Sequence, residues 1–338
     1  MKDLRFICVQ PSDNYFVWQV HLWLESLRNI GHSDKATVLI FNPKNRSKNT
    51  NWQKVIDLYP ESEFAFYDDL HNINSLIRIY IPIIRPYCLM RHFNEHPELK
   101  EKAIFYCDSD VIFTENFNID AYKEGDICYL SNTNSYINAS YFDSKTKDVL
   151  PDKLEEYKKK DILQETTVLA GINRQIAEEN NSHSGGAQYF LKNIDGKFWE
   201  KVLSDCISIR LHLQNVNKQF FESESKGFQS WCADMWSVLY NLWYNKLETK
   251  VIAEMDFAWA TDSIQKLDRV GILHNAGIVS DRGNGYPAFY KGKYHTGTDP
   301  LKDPYLQEIL NSEESKKFCT HYYLTKLFDI KQKYNINY

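Results

Sequence analysis

A chain of 338 residues, 43% hydrophobic and 25% charged, has an ordinary globular composition and can bury a core as one large domain or two modest ones. Its net charge of −5 and pI near 6.1 provide no global field for a polyanion, which disfavours sequence-independent nucleic-acid binding. No window is apolar over enough residues to cross a bilayer, so no membrane partner is expected.

In chain order, residues 4–10 read as a buried strand, and 14–29 as a helix with Val17, Val20, Leu24 and Leu27 on one face and Gly31 as its stop. A second strand covers 36–41 and ends at Asn42-Pro43. A short helix covers 52–59, and a third strand, 63–67, runs into Asp68-Asp69. Residues 77–94 read as helical but interrupted by Pro82 and Pro86, so they form two pieces or a kink. A fourth strand leads into Asp108-Ser109-Asp110. Strands alternating with helices imply an α/β fold, a mostly parallel central sheet with helices on both faces. Ligands of such sheets bind beyond the strands' carboxyl ends, where Gln10, Asn42, Asp68 and Asp108 fall.

From about residue 116 the pattern loosens. Residues 131–183 are polar and lysine-rich, with expected helices at 151–164 and 171–180, and read as a helical insertion or acceptor-side lobe. The expected division is thus 1–130 as an α/β half, 131–183 as the lobe, and 184–338 as a second half of the same domain. In that last part Gly185-Gly186 precede a strand-like run, and a tryptophan-rich helix over 229–245 carries Asp234 near its start. Short strands and turns cover 250–252, 254–259 and 271–277, and 291–297 is a flexible basic loop.

The segment 103–113 carries the most information. An apolar run ends in two aspartates spaced i, i+2, and apolar residues then resume. On an extended backbone such side chains point the same way, so both carboxylates converge on one hard cation. Oxygen ligands of this kind suit Mg²⁺ or Mn²⁺, which keep positions for water and substrate phosphates. Roughly one Asp-x-Asp is expected by chance in a chain of this length. This one stands out because it ends a buried strand, where paired like charges destabilise the fold unless a cation joins them.

An apolar strand ending in Asp-x-Asp after three β-α units, then a glycine pair, an acidic helix start and a late histidine, resembles the GT-A glycosyltransferases. Within that fold, SGGAQYFL, the WCADMW helix and ILHNAG are similar to plant and algal enzymes that glycosylate hydroxyproline or serine in peptides. The resemblance implies a nucleotide-sugar donor, commonly UDP-linked, held through Mn²⁺ or Mg²⁺ and passed to an acceptor hydroxyl. Asp108 and Asp110 would be metal ligands, with Asp110 the direct one, and Ser109 and Gln10 would meet the donor. A histidine near the end would complete the metal site. His274 and His295 are both candidates, His274 being favoured by its apolar lead-in. Gly185, Gly186 and Gln188 resemble the loop at the donor sugar, and the glycines also suit an ordinary turn.

Asp234 would be the general base of an inverting route, or with Gln188 would stabilise the cationic sugar of a retaining one. The likeness to the peptide enzymes favours retention. Arg78, Arg85, Lys291 and Lys293 are candidates for the diphosphate, although surface ion pairs are the commoner fate of such side chains.

The acceptor is open: a peptide or glycan hydroxyl, a lipid-linked sugar, or a modified DNA base. Oligomeric state is open too. Seven cysteines without a C-x-x-C pair, and a strand-like opening with no signal peptide, lead us to expect a cytoplasmic protein. Rival readings are a phosphatase of the haloacid-dehalogenase type using Asp108 and Asp110, and a non-catalytic sugar-binding protein. The phosphatase motif normally ends the first strand of its domain, whereas here three β-α units precede it. A sugar nucleotidyltransferase needs a glycine-rich phosphate loop after the first strand, and Gln10-Pro11-Ser12-Asp13 is not one.

Overall fold

A computed structural model describes residues 2–44, 49–69 and 73–338. Its strands are β1 (Leu4–Pro11), β2 (Ala36–Phe41), β3 (Glu63–Tyr67), β4 (Ala103–Tyr106), β5 (Val111–Phe113), β6 (Cys128–Leu130), β7 (Tyr189–Lys192), β8 (Thr249–Val251), β9 (Phe257–Trp259) and β10 (Ile272–His274). The helices that matter below are α1 (Asn14–Asn29), α2 (Thr50–Leu58), α3 (Asn74–Ile79), α4 (Ile84–Glu95), α5 (Gly196–Phe220), α6 (Ala233–Tyr244) and α7 (Cys319–Tyr334). The result is the expected α/β architecture, with a seven-stranded main sheet flanked by helices. A second sheet has three strands in the order β5-β10-β9.

The chain forms two compact units. One comprises Leu4–Asp68, Cys107–Lys123 and Ala253–Tyr338. It holds β1, β2 and β3, all parallel, with Gln10 opposite Ile40 and Phe41 opposite Tyr67. These strands are rich in β-branched and aromatic residues, and β2 is buried at every position. The small sheet β5-β10-β9 lies in the same unit.

The other unit comprises Met1–Asp3, Asp69–Tyr106 and Glu124–Ile252. Its strands run in the order β4-β7-β6-β8, with β7 antiparallel to both neighbours and β6 parallel to β8. The 25-residue helix α5, capped by Asp195, packs against α4 and α6. Its apolar stripe of Val202, Cys206, Ile209, Leu213, Val216 and Phe220 is buried. Trp199 is also buried, edge-on to Tyr106 at 5.6 Å. A side chain of that size stabilises the fold by about 2–3 kcal/mol when fully buried.

The sequence readings and the structure agree at the expected proline break and differ at three other places. Pro82 does split the helix before β4: α3 ends at Ile79, and a 3-10 turn, Ile81–Ile83, precedes α4. The helix expected over 151–164 is instead the short turns Pro151–Lys153 and Leu154–Tyr157, followed by Ile162–Leu169. The break occurs because the Asp161 side chain accepts from the Gln164 amide and starts a new helix. The helix expected over 171–180 begins later, at Arg174, where Asn173 caps it. The basic loop is a 3-10 turn, Lys291–Tyr294, whose Tyr294 is buried.

Candidate functional site

The aspartate pair does not sit on an extended strand. β4 ends at Tyr106, Ser109 and Asp110 form a turn, and the chain resumes as β5 in the small sheet. The carboxylates are therefore aimed by a turn, and their partner arrives through sheet pairing. β10 runs antiparallel to β5 with His274 opposite Val111, and the Asn275 amide donates to the Asp110 carbonyl at 2.9 Å. β9 fixes the ring from the other side, Trp259 lying opposite His274 and stacked on it at 5.4 Å. His274 Nε2 then sits 3.3 Å from Asp110 Oδ1.

One ligand atom from each of Asp108, Asp110 and His274 falls within 4.8 Å of the other two. Asp110 and His274 are buried and Asp108 is half-buried. The other Asp110 oxygen, Oδ2, is paired with the Lys291 ammonium. The charge here is felt nearby: burial first, then Cys107 and Asp108, push the Cys8 thiol well above its ordinary value. Two carboxylates and one imidazole, convergent and largely buried, suit a divalent cation that accepts oxygen and nitrogen together. That donor set fits Mn²⁺ better than Mg²⁺, which favours oxygen alone.

The other candidates of this unit fall at stated places. Gln10 is buried near the end of β1, and Ser109 is buried beside the aspartates. His295 is exposed, with Nδ1 2.7 Å from the Gly292 carbonyl of its own turn, and is not part of the Asp108–Asp110–His274 group. Lys293 pairs with Asp303 at 2.9 Å and Asp281 at 3.4 Å, and the hydrogen bond to Asp303 is the main reason its ammonium is held more basic than usual. A cleft of about 620 Å³ in the same unit, lined by Glu25, Glu115, Tyr322 and Lys326 among others, opens at the far end of β5 and includes no residue of the group.

In the other unit, Asp234 lies in the first turn of α6 and is 8% exposed. Tyr80 donates to its Oδ1 at 2.7 Å and Arg85 to its Oδ2 at 2.8 Å. The Tyr80 hydroxyl is also 2.6 Å from the Trp231 carbonyl, tying the start of the helix to residues 80–85. Burial, then the Asp234 charge, push the phenols of Tyr80 and Tyr189 well up. Tyr80 is a residue that no sequence motif marked; only its place five residues before Arg85, beside a proline break, hinted at a fixed turn. Arg78 is exposed on α3.

Gly185 and Gly186 have a packing cause within this unit. A Cβ on Gly185 would lie 2.3 Å from the Ser131 carbonyl, and one on Gly186 2.6 Å from the Tyr189 hydroxyl. Ala187 follows with φ of 68°, and Gln188 is fully buried.

No family model and no curated protein matches the chain. Among solved structures it is similar to the bifunctional glycosyltransferase WbbM in its apo form, at 10% identity and a TM-score of 0.46, covering 97% of this chain and 51% of that one. It is also similar to apo mouse xyloside xylosyltransferase 1, at 10% identity and a TM-score of 0.36, covering 81% of this chain and 97% of that one. The chain thus spans about half the length of WbbM. Both neighbours are glycosyltransferases by name, and neither overlay is close enough to assign this chain an activity.

Proposed function

We propose that the chain transfers a sugar from a nucleoside diphosphate donor, UDP-linked by preference, to an acceptor hydroxyl on a peptide, a glycan or a modified base. The observation that carries this reading is the convergent Asp108–Asp110–His274 group, placed just after the carboxyl end of a central strand. Those three residues would hold the cation, with Asp110 as the anchoring ligand. A divalent ion bound there would neutralise the charge that gathers on the departing diphosphate.

The remaining roles fall to the chain's own side chains. Ser109 and Gln10 are assigned to the nucleoside side of the donor, and Gly185 and Gly186 to the backbone that approaches the sugar. Lys293 is assigned to the phosphates, and His295 stays a second candidate ligand. Asp234, steadied at both oxygens by Tyr80 and Arg85, accepts the acceptor's proton in an inverting route. In a retaining route that proton goes to the leaving phosphate, and Asp234 or Gln188 faces the positive sugar. Arg85 then acts chiefly by orienting Asp234. All seven cysteines are buried and unpaired, which supports a reducing compartment such as the cytoplasm.

The test is a thermal-shift panel of nucleoside diphosphate sugars with Mn²⁺, since a ligand that binds only the native state raises its melting point. At least one donor should raise Tm in the wild type and not in Asp110→Ala. If none does, and a generic phosphate ester is hydrolysed instead, the phosphatase reading takes its place.

A further inference from the structure

We infer that Lys291 is a built-in rival of the divalent cation: its ammonium holds Asp110 Oδ2 until the ion displaces it, and this exchange sets how tightly the ion binds. The inference rests on the metal reading of Asp108, Asp110 and His274.

Three observations support it. Asp110 is buried with its two oxygens divided, Oδ1 toward His274 Nε2 and Oδ2 on Lys291. A second carboxylate, Asp108, has a ligand atom within 4.8 Å. Two like charges so close need a counter-cation in the protein before any ion arrives. Finally, the turn that carries Lys291 is anchored independently of it. Tyr294 is buried, stacks on Phe289 at 5.8 Å and donates to Asp303 at 2.8 Å. Lys293 is committed to Asp303 and Asp281. The turn therefore delivers one ammonium to the aspartates and directs the other away.

An ammonium and a divalent ion on one carboxylate repel across the short distance between its oxygens, so binding of the ion drives the ammonium off. Lysine suits this exchange because its charge sits on a flexible four-carbon stem. The Lys291 side chain is 22% exposed, leaving it a path to withdraw. Once displaced, its ammonium is available to an anionic group beside the ion, such as a diphosphate.

Calorimetric titration of Mn²⁺ alone, without nucleotide or acceptor, tests this. An opposite charge beside a carboxylate changes its affinity for a competing cation by roughly one to three tenfold steps. Lys291→Met should accordingly bind Mn²⁺ about tenfold or more tightly than wild type, and Lys291→Arg and Lys293→Met should match wild type. Lys291→Gln serves as a second neutral variant, with folding checked by circular dichroism. Equal or weaker binding by both neutral variants overturns the role of Lys291 and leaves the metal reading standing. Absence of Mn²⁺ binding in wild type and variants alike overturns both.

Discussion

Replacing Arg85 with methionine removes the cation from a carboxylate that stays buried. Arg85 Nη1 donates to Asp234 Oδ2 at 2.8 Å, with side-chain exposures of 29% and 11%. For unit charges about 4 Å apart at an effective dielectric near 20, Coulomb's law gives about 4 kcal/mol as an upper bound. Partial exposure of Arg85 screens part of that, and Tyr80 continues to donate to Asp234 Oδ1. A loss of about 2 kcal/mol is therefore expected, between the surface-pair and buried-pair limits. For 338 residues this corresponds to a fall in Tm of about 3 °C, using an unfolding entropy of about 2.1 cal/mol/K per residue. Urea denaturation should be run on wild type, Arg85→Met, Asp234→Asn and the double variant. Once Asp234 has lost its charge, removing Arg85 should cost about 0.5 kcal/mol or less, so the two losses fall short of adding. Additive losses, or a single-variant loss within surface-pair range, would refute the view that Arg85 is held in place by Asp234.

Gly185→Ala should destabilise the fold by about 1–3 kcal/mol, lowering the urea midpoint with m unchanged, because the new Cβ would fall 2.3 Å from a backbone carbonyl; a neutral result would free that glycine for a purely ligand-directed role. His21 is buried and its pKa is pushed down to about 4 from 6.5, burial being the main cause. Between those values the unfolded chain takes a proton that the native state refuses, so stability falls as pH drops through that window, by up to about 3 kcal/mol. His21→Asn should flatten that limb in denaturation series run at successive pH values. Glu25 is held below its ordinary value because hydrogen bonds from Lys333, Tyr334 and Tyr59 outweigh the opposing effect of burial. Its stabilisation is present above the unfolded value near 4.5 and is lost as pH falls further, a loss that Glu25→Gln should abolish in the same series.

The first three strands and α1 could be read from the chain because local signals agreed there: apolar runs of strand length, one helical stripe from Val17 to Leu27, and stops at Gly31 and Asn42-Pro43. The aspartate pair was visible as a motif, but its geometry was not. A three-residue strand gives too little pattern to show that β5 leaves the line of β4 and pairs with β10, some 160 residues later. That pairing is what carries His274 to Asp110, whereas the His274-versus-His295 choice from sequence had only the apolar lead-in to favour it. The Arg85–Asp234 ion pair joins residues 149 apart, and charge type alone offered Arg85 a surface ion pair or a phosphate without naming Asp234. By contrast α5 and α7 bear no chemical motif, although the 3.6-residue spacing from Val202 to Phe220 is the signal that finds the longer one.

The most direct test of the metal-centred reading is a crystal structure of the protein with Mn²⁺ and UDP, with anomalous scattering locating the metal. A manganese peak in coordinating contact with Asp110 and His274, bridging to the diphosphate, is the expected result. A peak elsewhere, or UDP bound with Lys291 still on Asp110 and no metal beside it, would contradict it.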